Sequence, residues 1–341
     1  MWADVRKRLN ASRAELGKVA DGLYPQACRI GSTALLTRPG WVMAEPVPLA
    51  SVRLEWEPEP EPPAVADPAE GLPEGFRTYA EAMAVLAPPT VFENRPAYRL
   101  LDADRQVLRF GPAHYFDGVN VGEAVAHELA ARVADGPDVA YVADGADLPL
   151  RTRVGDPCDL SRRTTLVAIT TLTIRDGDPA SYVLHWRDPA KVAHAGGLHH
   201  VMPVGVFQPL ADEVGDLDLW RSMQREYREE FLGSDEVSDW HEPGFASFAT
   251  AFAAARDSGA VRPYALGLGV DPLTFALDLL TVVIIAPGTF DRLFGELVRE
   301  NDEGTVAMAA FDGTVPQPMQ PAGAAALELA WRHRDALLRQ G

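Results

Sequence analysis

The run Glu57-Pro58-Glu59-Pro60-Glu61-Pro62-Pro63 constrains this chain more than any other segment. Proline supplies no backbone donor and fixes its own φ, and the intervening carboxylates repel one another, so neither a helix nor a β-ladder passes through it. Residues 57–73 therefore read as an extended Pro/Glu-rich linker. It sets residues 1–56 apart from the rest. The full 341 residues are enough for two ordinary domains, because single cores stop growing above ~250 residues. With 47% hydrophobic and 23% charged residues the composition is globular, and 28 Pro and 28 Gly imply many connections.

Before the linker, Val5, Leu9, Leu16 and Val19 are spaced as one face of an amphipathic helix over residues 2–20, among Arg6, Lys7, Arg8, Arg13 and Lys18. Its apolar side is weak, which suits a surface helix docked by one face better than a membrane or nucleic-acid element. Residues 33–56 read as short strands broken by Pro39, Gly40, Pro46 and Pro48. After the linker, residues 74–154 pattern as an α+β region, with a helix over 79–86, a strand-like segment over 98–110 and a helix over 121–133 opened by Asn120. His127-Glu128 starts like a zincin motif, but Ala131 stands where the second histidine is needed, so that reading is excluded.

From residue 166 the pattern turns to β. Segments 166–174 and 182–187, joined through Asp176-Gly177-Asp178-Pro179, make a hairpin. A Gly/Pro-rich stretch ending in Pro203-Val204-Gly205 follows, then an acidic loop over 212–218 and a helix over 219–232, with Asp218 as N-cap and Gly233 as its stop. Further helices are expected over 245–255, 290–300 and 322–338, and the apolar run 275–285 reads as a buried strand. Gly267-Leu268-Gly269 lacks the third glycine of a dinucleotide fingerprint and reads as a turn.

A net charge of −18 excludes a general nucleic-acid surface, which needs Lys and Arg to displace counterions. Cys28 and Cys158 alone can build neither a disulfide framework nor a four-cysteine zinc site, and both read as buried thiols. A basic leader and any uncharged apolar run of ~18 residues are missing, which points to a cytoplasmic protein without a membrane partner. A homo-oligomer stays open. Neither a GxSxG elbow, a P-loop nor a protein-kinase signature occurs.

What carries chemistry is the segment Arg225-Glu226-Tyr227-Arg228-Glu229-Glu230. Glu226, Glu229 and Glu230 stand at i, i+3 and i+4, so on an α-helix their carboxylates leave one side. Such like charges are offset either by Arg221, Arg225 and Arg228 or by a bound cation. A hard cation such as Mg2+ (or Mn2+) binds through one or two carboxylates plus substrate phosphate oxygens. A solvated charged face is the alternative. His194, His199 and His200 precede the helix and could meet a phosphate. Arg187 could grip phosphate oxygens bidentately, or pair with a surface acid on an edge strand. Trp220, Tyr227 and Phe231 recur at helical spacing, as expected for packing the helix onto a sheet.

The same segment resembles the R-E-U-x-E-E core of the Nudix box, where U is a bulky apolar residue, and the order hairpin, Gly/Pro turn, loop, acidic helix is similar to that family's. The resemblance implies an α-β-α sandwich over residues 155–341, metal binding by Glu226, Glu229 and Glu230, and Arg225 as their positioning salt-bridge partner. Glu303, in an acidic loop after residues 290–300, is a further carboxylate that the resemblance implies, and it joins Arg187 and His200, proposed above from their own chemistry, as a candidate substrate contact. The departures are Leu217 at the earlier box glutamate, Ala211 at the opening glycine and Leu232 at the closing glycine. If Gly205 is the opening glycine, the loop is longer, with Asp212, Glu213, Asp216 and Asp218 as substitute acids. The function implied is metal-dependent hydrolysis of a small diphosphate-containing, nucleoside diphosphate-linked substrate. A catalytically silent Nudix-like ligand-binding or regulatory protein is the alternative.

Overall fold

The computed structural model describes residues 2–66, 68–89, 92–135, 148–187, 197–234, 236–237, 239–295, 297 and 304–338. The basic N-terminal segment forms two helices, α1 (Trp2–Ala11) and α2 (Arg13–Gly22). Two of its arginines are not on the surface as expected. Arg6 is ion-paired with Glu123, Arg13 Nη2 lies 3.0 Å from the same carboxylate, and both arginines are buried. Short strands β1 (Cys28–Arg29), β2 (Leu36–Thr37), β3 (Val42–Pro48) and β4 (Arg53–Trp56) follow. Cys28 is exposed, contrary to expectation, whereas Cys158 is buried.

The linker forms none of the named elements, as its prolines require, but it lies along the protein. Glu57 N donates to Phe110 O at 2.8 Å, and the buried Val65 bridges to Arg163. Beyond it come α3 (Tyr79–Leu86), capped by the Thr78 side chain, then β5 (Pro96–Asp104), β6 (Val107–His114), α4 (Tyr115–Asp135) and α5 (Pro149–Val154). Asn120 does not open α4. It lies inside that helix, and its Oδ1 accepts from Ala80 N at 2.9 Å, tying α4 to α3. β4 pairs in parallel with β6, and β6 pairs antiparallel with β5, so chain from both sides of the linker builds one three-stranded sheet.

The remaining elements are β7 (Val167–Arg175), β8 (Ser181–Arg187), β9 (Leu198–Val201), β10 (Val204–Val206), α6 (Leu219–Glu226) with a π-helical turn Tyr227–Phe231, α7 (Pro243–Asp257), β11 (Val261–Val270), β12 (Leu277–Ile285), α8 (Pro287–Phe294), β13 (Gly304–Ala310), α9 (Pro321–Arg332) and α10 (Arg334–Leu338). A mixed sheet runs β1-β2-β11-β12-β7-β8-β13, with β3 on β11, β10 on β7 and β9 on β8. β12 is parallel to β7 and antiparallel to β11.

Both faces of β12 are covered, which is why its sequence is almost continuously apolar. Leu277, Leu279, Val283 and Ile285 enter a core with Met223, Tyr227, Phe231, Phe252 and Phe294. Leu280, Val282 and Ile284 enter a second core with Ala325, Ala326 and Leu329 of α9. Helices thus flank the sheet on both sides, in a mixed α+β fold. Each large apolar side chain so buried contributes about 1.5–3 kcal/mol.

Two expectations fail locally. Gly267-Leu268-Gly269 lies inside β11, where the register shifts, and a Cβ on Gly267 would meet Trp41 O at 2.9 Å. The glycine admits a neighbouring backbone there and makes no turn. The helix expected over 290–300 begins at Pro287 and closes at Phe294. Among the described residues no helix is long and apolar enough to cross a membrane.

Candidate functional site

The acidic helix is positioned by its polar start and its aromatic face. Asp218 caps α6 by accepting from Arg221 N at 3.0 Å, as its place before the apolar run predicts. Tyr227 is buried between Phe252 and Phe294, at ring separations of 4.9 and 5.4 Å, and its hydroxyl lies 2.7 Å from Thr173 Oγ1 of β7. Beyond Glu226 the helix widens into the π-helical turn. Each residue of such a turn advances through a smaller angle than in an α-helix. The residue four ahead of Glu226 therefore stays beneath it, while the one three ahead swings aside.

The contacts follow that geometry. Glu226 and Glu230 both lean on β10: Glu230 Oε1 accepts from Val204 N at 3.1 Å, and the Glu226 carboxylate fills the space a Cβ on Gly205 would need. Glu229 swings to the following loop, where its Oε1 accepts from Val237 N at 2.8 Å. Arg225 is 2% exposed, and its Nη2 donates to Glu226 Oε1 at 2.8 Å and to Val206 O at 3.4 Å. Its Nε stands 4.0 Å from Glu229 Oε1. Burial, and then the charge of Glu226, push the Glu229 carboxyl up to about 7 against the pull of the Val237 N–H and Arg225.

The structure thus brings Arg225, Glu226 and Glu229 together and ties Glu230 to the strand beside them. Among the described residues no three acid, histidine or cysteine side chains form a group that could hold a cation alone. Glu226 and Glu229 flank one guanidinium, Arg225 Nη2 at 2.8 Å from the first and Nε at 4.0 Å from the second.

The other expected contacts lie elsewhere. Arg187 is not on an edge strand, because at the end of β8 it pairs with Leu198 on one side and Gly304 on the other. His200 stands opposite His185, with Nδ1 3.1 Å from where a Gly323 Cβ would be, so it faces α9 and not α6. His199 is half-buried against Trp186, and burial lowers its pKa. His194 and Glu303 fall outside the described residues.

The acidic loop is committed to its own fold. Asp216 accepts from the backbone of Leu210, Ala211 and Asp212 at 3.0–3.1 Å and from Trp240 Nε1 at 2.6 Å. Those bonds outweigh its burial and hold its pKa below the usual carboxylate range. Asp212 accepts from Val214 N, and Asp218 is the helix cap. Arg221 turns to Asp216 and lies over Trp240. Two features of the site escaped sequence reasoning. The seat for Glu226 at Gly205 was signalled only by a glycine in a turn, and the Val237 N–H that holds Glu229 leaves no trace in side-chain identity.

No protein-family model matches this chain, and no curated protein is significantly similar to it.

Proposed function

We propose that residues 155–341 form a Nudix-like domain that takes a divalent cation, Mg2+ or Mn2+, at Glu226 and Glu229 together with the phosphate oxygens of a small nucleoside diphosphate-linked molecule, and hydrolyses the diphosphate. The supporting observation is the seating of Glu226 against Gly205 with Glu229 on the other flank of the buried Arg225. Two carboxylates share one guanidinium there, leaving negative charge for a cation to neutralise. Such a cation, when bound, polarises a phosphoryl oxygen and acidifies bound water. Arg225 fixes the direction of Glu226, and Glu230 holds β10 in place through Val204 N.

A second reading, binding without turnover, is favoured by Leu217 at a box acid position and by the commitment of Asp212, Asp216 and Asp218 to loop and helix backbone. Calorimetry of the full chain with Mg2+ and a panel of nucleotide sugars and dinucleotides, with product analysis of the same samples, separates the two. Cation-dependent phosphorylated product, lost in a folded Glu226→Gln/Glu229→Gln variant, supports hydrolysis. Saturable binding with no product supports the second reading, and the absence of both overturns the site.

A further inference from the structure

The large sheet has two ends, and they are built differently. At one end the outer strands are β1, which is two residues long, and β3, which carries Glu45, Pro46 and Pro48. A short strand, an edge charge and edge prolines are devices that stop another chain from adding to a sheet. The small sheet is protected in the same way, since its edge strand β4 carries Arg53 and Glu55.

The other end of the large sheet is β13, seven residues with no charge and no proline. Its pairing with β8 runs from Gly304 opposite Arg187 to Ala310 opposite Ser181 without a bulge. Among the described residues no strand pairs with its outer side. Phe311 N donates to Ala180 O at 3.0 Å, which fixes the alternation of the ladder. The backbone groups of Thr305, Ala307 and Ala309 face β8, and those of Val306, Met308 and Ala310 point outward. Met308 is 42% exposed, and Thr305, Ala307 and Ala310 are exposed with it.

We propose that β13 is a docking edge for a second copy of this chain, the two β13 strands pairing antiparallel about a two-fold axis at Met308 and joining two large sheets into one. Charge and symmetry select a copy. Elsewhere, chains of net charge −18 repel one another, whereas along this strand no charge of one copy faces a charge of the other. Asp312, just beyond the strand, falls opposite Gly304. Val306 exchanges hydrogen bonds with Ala310, and Met308 with its own counterpart, so every outward group of these three residues is paired. The two exposed Met308 side chains come side by side on one face. Because the far end of each sheet is blocked, assembly stops at two copies.

Sedimentation of the full chain at rising concentration tests this. A concentration-dependent monomer–dimer equilibrium is expected, with no larger species. Met308→Lys, which sets like charges together at the axis, should weaken it at least about tenfold while leaving circular dichroism and melting temperature unchanged. Met308→Cys in a Cys28→Ser background should cross-link to a covalent dimer when oxidised with diamide, because a hydrogen-bonded antiparallel pair places its Cα atoms about 5.5 Å apart. A chain that stays monomeric up to about 1 mM overturns the proposal. So do open-ended polymers, or a dimer that Met308→Lys leaves intact.

Discussion

Gly205 and the Glu226 carboxylate exclude each other's growth: the glycine has no side chain because the glutamate occupies its place. Gly205→Ala should displace Glu226, destabilise the chain by about 1–3 kcal/mol as overpacking does, and weaken Mg2+ binding by at least about tenfold. Urea denaturation and calorimetry read the two effects, and unchanged cation affinity would show that Gly205 does not set the carboxylate. Asp278 of β12 supplies a pH-dependent case. It is pushed up to about 7 from an ordinary 3.8, chiefly by burial, against a 2.7 Å bond from Thr170 Oγ1. Between those values the folded chain holds a proton the unfolded chain has lost. Its stabilising contribution is therefore present below about pH 4 and disappears as pH rises through 7, with a slope of at most about 1.4 kcal/mol per pH unit. Glu229, also raised to about 7, acts in the same sense. Asp278→Asn should flatten the fall in stability between pH 5 and pH 8, and an unaltered slope would rule this carboxyl out as its source. At this scale the cap at Asp218 and the pairing of Arg225 with Glu226 are legible in residue type and spacing. The role of Asp216 is not, because the donors that engage it are backbone groups gathered by the loop's own path.

Helix packing belongs to the next scale. The π-helical turn keeps Tyr227 and Phe231 against Phe252 and Phe294 while it turns Glu229 aside. Phe231→Ala should cost about 3–5 kcal/mol. Tyr227→Phe should cost only about 1 kcal/mol, because Thr173 Oγ1 still donates to Met202 O. Chemical denaturation of both variants checks the ranking, and a larger loss for Tyr227→Phe would refute it. The joint between α1 and α4 is pH-sensitive in the opposite direction from Asp278. His127 stacks on Trp2, lies 3.0 Å from the Tyr79 hydroxyl, and is lowered to about 4, mainly by burial with Arg6 adding to it. A histidine kept neutral in the fold contributes stability that is present above its ordinary 6.5 and lost as pH falls toward 4. Amides of α1 should exchange faster, after correction for intrinsic rates, as pH drops through that window, and His127→Gln should remove the dependence. Aromatic spacing announces the buried face of α6. The widening after Glu226 has no such signature in residue spacing.

At the scale of the whole molecule the N-terminal strands complete the sheet that carries the acidic helix. β2 and β3 pair with β11, Leu268 N donates to Trp41 O at 3.1 Å, and Trp41 is 1% exposed in the core that also holds Tyr227 and Phe252. Trp41→Ala should therefore lower the stability of the entire chain by about 3–5 kcal/mol within a single cooperative transition. A separate early melting step in calorimetry would show instead that residues 1–56 unfold on their own. The sequence alone determined those features that depend on composition or local periodicity: the proline-barred linker, the apolar strand β12, the hairpin before the acidic helix, and the pairing of Arg225 with Glu226. Each is written within a few consecutive residues. The expected row of three glutamates on one helix side is instead broken by the π-helical turn that sends Glu229 to Val237 N. Tertiary structure decided what joins residues far apart: β2 and β3 lying on β11, Arg6 and Arg13 meeting at Glu123, His200 turning to α9, and Gly205 and Val237 receiving the two glutamates. Those contacts arise because strand edges and buried charges take whichever partner the folded chain brings within hydrogen-bonding distance, and the partner is a backbone group or a residue more than a hundred positions away as readily as a neighbour.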